Sequence, residues 1–163
     1  MRMKQRNPTL LALCLLMTSA CLNNGIEWSE LTFTRTRPSD KDLVGTWTPT
    51  SETFQNMKAS GGYAISKHEL TLSADGTFSM LNMPDWWSDG FGESHKQLES
   101  GRGTWRVAEA KNVYTIYVVN LLFPTGSVTV HVSRQRPPYL LHIILGDPDS
   151  GHYMLFEKRE HPG

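Results

Sequence analysis

"LTLSADGTFSM", residues 70–80, decides how this chain folds. Alternating apolar residues flank an Asp75-Gly76 pair, the strongest short-range hairpin signal a sequence carries. A two-residue loop there would set Leu72 opposite Ser79 and split the apolar residues between two faces. A three-residue loop, Ala74-Asp75-Gly76, instead pairs Leu72 with Phe78 and Leu70 with Met80. Slipping by one residue inverts every side chain, so the apolar pattern selects the longer loop, with Gly76 taking the positive φ of a bulged turn.

The same period of two recurs outward from this hairpin. "SVTVHVS" puts Val128, Val130 and Val132 on one face and Thr129, His131 and Ser133 on the other. "VYTIYVV" (113–119) and "YLLHIIL" (139–145) are apolar on both sides, as strands covered on both faces should be. Further strands are expected at 42–48, 67–73, 77–82, 95–107 and 152–158, with "GDPDSG" (146–151) as a turn. The one expected helix is "SETFQNMKASGG", in which Ser51 can cap, Phe54 and Met57 share a face, and Gly61 can end the helix. About 123 residues follow Asp40, enough for one core. Eight sequential antiparallel strands hide their edges most simply by closing into an up-and-down barrel. The expected fold class is therefore mainly β, one antiparallel barrel of about eight strands with one short helix, over residues 41–163.

Three motifs carry a resemblance. "DLVGTW" (42–47), "LTLSADGTF" (70–78) and a second "GTW" (103–105) resemble the small bacterial lipocalin-like barrels, in which a Gly-x-Trp lies near the start of the first strand. The resemblance implies a lipocalin-like barrel and a late basic residue packed across the first Trp, for which Lys158 or Arg159 is the late candidate. From the residues themselves, Gly45 and Gly103 permit close strand approach and Trp47 and Trp105 fill a barrel end.

The chain begins in a different register. Arg2, Lys4 and Arg6 precede an apolar run from Leu10 to Met17, and the small residues Thr18, Ser19 and Ala20 lead to Cys21. Cationic, apolar and small in that order is an export signal, and the run is about half of the ~20 residues a spanning helix needs. "TSA" before a cysteine resembles the lipobox of bacterial lipoproteins, although Thr18 stands where that family usually carries an aliphatic residue. The resemblance implies cleavage after residue 20 and a diacylglycerol thioether on Cys21. Each methylene buried in the bilayer then contributes ~0.8 kcal/mol, and two or more chains hold stably. Leu22 is not the Asp of an inner-membrane retention signal, which favours the periplasmic face of an outer membrane in a host that has one.

Cys14 falls in the leader, so the body holds no disulfide, no thiolate-bound zinc and no cysteine nucleophile. Residues 21–40 read as a tether, with Leu31 and Phe33 available to dock on the body. Removing residues 1–20 leaves 13 basic against 16 acidic side chains, a balance that gives no reason to expect nucleic acid.

Candidate sites are few. Trp86, Trp87 and Phe91 gather in "MPDWWSDGFG" (83–92), where exposed aromatics at a barrel rim grip an apolar ligand or partner; otherwise they cover the barrel end. Trp86, Trp87 and Tyr117 are the candidates for lining or gating a small apolar ligand site. His131 and His142 lie on neighbouring strands, with Asp147, Asp149 and His152 nearby, but no HxH or HExxH spacing occurs, and His131, on the polar face of its strand, is expected to be a solvated imidazole. There is no GxSxG elbow and no phosphate loop, and Glu52, Glu69, Glu93, Glu99 and Glu157 read as solubilising. The expectation is an envelope lipoprotein, neither an enzyme nor a cofactor or metal carrier. It either binds a small apolar molecule or acts as an interaction module, an assembly factor or inhibitor gripping another envelope protein.

Overall fold

The computed structural model describes residues 32–59, 67–85, 97–111, 114–144 and 153–160. Its strands in chain order are β1 (Gly45–Pro49), β2 (Glu69–Leu72), β3 (Thr77–Pro84), β4 (Leu98–Lys111), β5 (Thr115–Phe123), β6 (Gly126–Ser133), β7 (Leu140–Ile144) and β8 (Tyr153–Lys158). Each pairs antiparallel with the next, and β8 returns to β1, closing an up-and-down barrel of the lipocalin-like type. The turn at 74–76 has the longer form: Leu70 faces Met80, Leu72 faces Phe78, and Gly76 has φ +80°. Asp75 anchors it by accepting from the Thr77 amide and hydroxyl, which lowers its carboxyl pKa.

Strand phase fills the interior. Val130 and Val132 of β6, Val119 and Leu121 of β5, Leu141 and Ile143 of β7, and Met154 and Phe156 of β8 point inward with Trp47 and Trp105. One departure from strict alternation matters. In β3 a bulge lies between Met80 and Met83, and Asn82 there adopts φ +53°, a conformation asparagine tolerates. The extra residue returns Met83 to the core while Leu81 faces out.

At the start of the barrel a short helix, α1 (Asp40–Leu43), occupies residues expected to be tether and first strand. Gly45, at φ +141°, turns the chain from that helix into β1, so β1 begins three residues later than expected. Among the described residues there are thus two helices, this one being additional to the expected helix after β1. The second, α2 (Ser51–Ala59), falls where expected, but Thr50 rather than Ser51 caps it, its hydroxyl accepting from the Thr53 amide at 3.3 Å. The Thr50 amide donates to the Leu155 carbonyl and the Leu155 amide to Thr53 Oγ1, so α2 seals the β1–β8 seam beyond Pro49.

From Thr32 onward the segment read as tether is bonded to the barrel. The Thr34 amide donates to Val132, the Tyr117 amide to Thr34 and the Arg134 amide to Thr32, so residues 32–34 lie between β5 and β6 where those strands part. Gln135 clamps the segment by donating to the Phe33 carbonyl and accepting from the Arg35 amide. Farther along, the Arg35 guanidinium lies 4.2 Å above the Tyr114 ring and Arg37 donates to the Val107 carbonyl. This arm supplies the outer cover that the two-sided apolar pattern of β5 and β7 demands. The expected docking of Phe33 is seen; Leu31 lies outside the described residues.

Candidate functional site

The two ends of the barrel differ. At the end where β2 turns into β3, Trp47 is fully buried and its indole N–H donates to the Leu43 carbonyl at 2.8 Å, tying α1 beneath the core. The Trp105 indole N–H donates to the Ser73 carbonyl at 2.9 Å. Lys158, opposite Trp47 across the β1–β8 seam, lays its side chain over Gly45 and donates to the Asp42 carbonyl at 3.1 Å and the Lys41 carbonyl at 3.4 Å. An ammonium on the last carbonyls of a helix is favourable both as a cap and as a charge on the negative helix end. Of the two late basic candidates, Lys158 therefore takes this position. Arg159 instead pairs with Glu69 at 3.2 Å.

At the opposite end an open cleft of about 650 Å³ lies between β3–β4 and β5–β6. Met80, Phe123 and Val128 form its apolar wall, Gly101 and Gly126 leave room, and among the described residues Glu99 is the one charged side chain lining it. Room arises because β4 runs past its last β5 partner: Thr104 faces Leu122, while residues 98–103 pair only with β3. The neck of the following loop is fixed. The Asp85 amide donates to the Gln97 carbonyl and the Gln97 amide to Asp85 Oδ2, both at 3.1 Å.

A second cluster lies on the outer surface, under the arm. His131 and His142 face each other in the β6–β7 ladder, with ring centroids 6.5 Å apart. Phe33 stacks on His131 at 4.5 Å and meets His142 edge-on at 5.3 Å, with Tyr153 5.0 Å from His142 on the other side. Ser133 Oγ lies 3.2 Å from His142 Nδ1. Burial, assisted by the neighbouring His131, pushes His142 down to about 4, and burial likewise lowers His131. His131, expected to be solvated, is therefore covered, because the arm roofs a strand face that alternation alone marks as polar. Among the described residues no group of three metal-ligating side chains converges.

The sequence-derived candidates distribute unevenly over these features. Trp47 and Trp105 are buried in the core, a Cβ on Gly103 would lie 2.0 Å from the Leu122 carbonyl oxygen, and one on Gly45 would meet the Lys158 side chain. Tyr117 does not line the cleft; it packs half-buried against the core near the opposite end, its amide bonded to the arm. Trp86, Trp87, Phe91, Cys21, Asp147, Asp149 and His152 lie outside the described residues. Met80, Glu99, Gly101, Phe123 and Val128 were not singled out from sequence. The available signal was phase: counting back by twos from Trp105 through Gly103 and Gly101 puts Glu99 on the inner face.

No protein-family model, no curated protein and no solved structure matches this chain.

Proposed function

We propose that the protein is a lipid-anchored envelope lipoprotein whose lipocalin-like barrel holds a small apolar molecule at its open end. The observation that carries the binding half is the cleft with Met80, Phe123 and Val128 as its wall, at the end opposite the one shut by α1, Trp47 and Lys158. The cleft is concave and sets that apolar wall against a polar rim of Glu99, Ser100, Thr125 and Ser127, and small-molecule sites combine apolar contact with placed polar groups in this way. The address half rests on the leader-like order of charge, apolar run and small residues before Cys21. No helix among the described residues is long and apolar enough to cross a membrane, and attachment through Cys21 needs none.

A second reading has its own support. Trp105, Leu121, Met154 and Phe156 fill the barrel interior with large side chains, as suits an interaction module with a solid core. Native mass spectrometry of the protein taken from its own envelope separates the two. A reproducible small-molecule adduct, with residue 21 carrying acyl chains, is expected; a stoichiometric protein partner and no adduct would favour the module.

A further inference from the structure

We propose that the cleft selects an amphiphile with one positively charged amine, its apolar part lying on Met80, Phe123 and Val128 and its ammonium facing Glu99. The inference rests on the ligand-binding reading above and adds the charge of the ligand. Glu99 sits directly opposite Met83 in the β3–β4 ladder. Opposed residues of an antiparallel pair share a face, and Met83 is fully buried in the core, so Glu99 starts from the inner face at the barrel mouth.

Among the described residues its carboxylate has no hydrogen-bond or ion-pair partner, whereas Glu69 on β2 has both Lys67 and Arg159. A neutral apolar occupant would strip water from that carboxylate without compensation, and an anionic one would add repulsion. A cationic head restores the lost solvation as a charge-assisted hydrogen bond. Thr125 and Ser127, at the β5–β6 turn, add hydroxyl acceptors at the rim for the remaining N–H donors.

Octylamine, octanol and octanoate share one apolar tail and differ only in head charge. Isothermal titration of the full chain at neutral pH should give octylamine roughly five- to tenfold tighter binding than octanol, with octanoate weakest, and the amine preference should shrink as salt is added. Glu99→Gln should abolish the amine preference, so that octylamine and octanol bind alike. Equal amine and alcohol affinity in the parent, or a preference that survives Glu99→Gln, overturns the charge assignment while the apolar site stands. If no probe binds, the ligand-binding reading falls and takes this inference with it.

Discussion

Strand β4 carries two inward glycines two residues apart, and the barrel treats them differently. Beside Gly103 a Cβ would meet the Leu122 carbonyl oxygen at 2.0 Å and the Phe78 ring at 2.8 Å; beside Gly101 it would meet only the ends of Phe123 and Met80, at 3.2 and 3.3 Å. The first position stands one residue beyond the last β4–β5 pair, Thr104–Leu122, where the two backbones are still close; the second stands three residues beyond it, where they have parted. Backbone cannot retreat, while a flexible side-chain end can. The barrel is thus committed on one side of this point and adaptable on the other, the division a site needs between a rigid frame and a yielding mouth.

The sharpest way to break that comparison is Gly103→Ala. Forcing backbone apart in a paired ladder should cost more than about 4 kcal/mol and abolish cooperative folding, read by thermal denaturation. A soluble Gly103→Ala with a near-parental midpoint would mean that the β4–β5 ladder yields as easily as the mouth.

Acid probes the committed side through the arm. His142 is pushed down to about 4 from its ordinary 6.5, so the folded state holds it neutral while the unfolded chain binds a proton. The stabilisation is whole above pH 6.5 and is lost as pH falls through 4, amounting to at most about 3 kcal/mol. Urea unfolding across that window should show the loss, and His142→Gln should flatten it.

Next in size is Trp47→Phe, which leaves the Leu43 carbonyl without its donor and should cost about 1–3 kcal/mol. The smallest effects belong to the mouth. Gly101→Ala should cost under about 1 kcal/mol. Gly126→Ala, which meets nothing within 4 Å, should be neutral or stabilise by about 0.5 kcal/mol by restricting the unfolded chain. Loss of octanol binding in either variant, with stability retained, would tie the cleft to ligand.

What could be read from sequence follows the same line. The 70–80 register, the inward valines of β6 and the count of eight strands were legible because alternation is a strong signal wherever one face meets a core. The helix α1 was hidden because four residues, "DKDL", carry no helical period. The β3 bulge was hidden because "MLNM" breaks the alternation that would have announced it. The burial of His142 was hidden because its cover comes from Phe33, 109 positions earlier in the chain. The place of Glu99 at the cleft was hidden for a different reason: carboxylates on strands usually face water, and only the strand's phase sets it beside Met83.

The central claim is that one barrel end is shut and the other receives an apolar molecule. An octylamine bearing a photoreactive diazirine on its tail, irradiated with the full chain and mapped by peptide mass spectrometry, tests it directly. Labels confined to Met80, Leu98–Gly101 and Phe123–Val128 are predicted. Labels concentrated on Leu43–Trp47 and Tyr139, or spread evenly over the barrel surface, would contradict it.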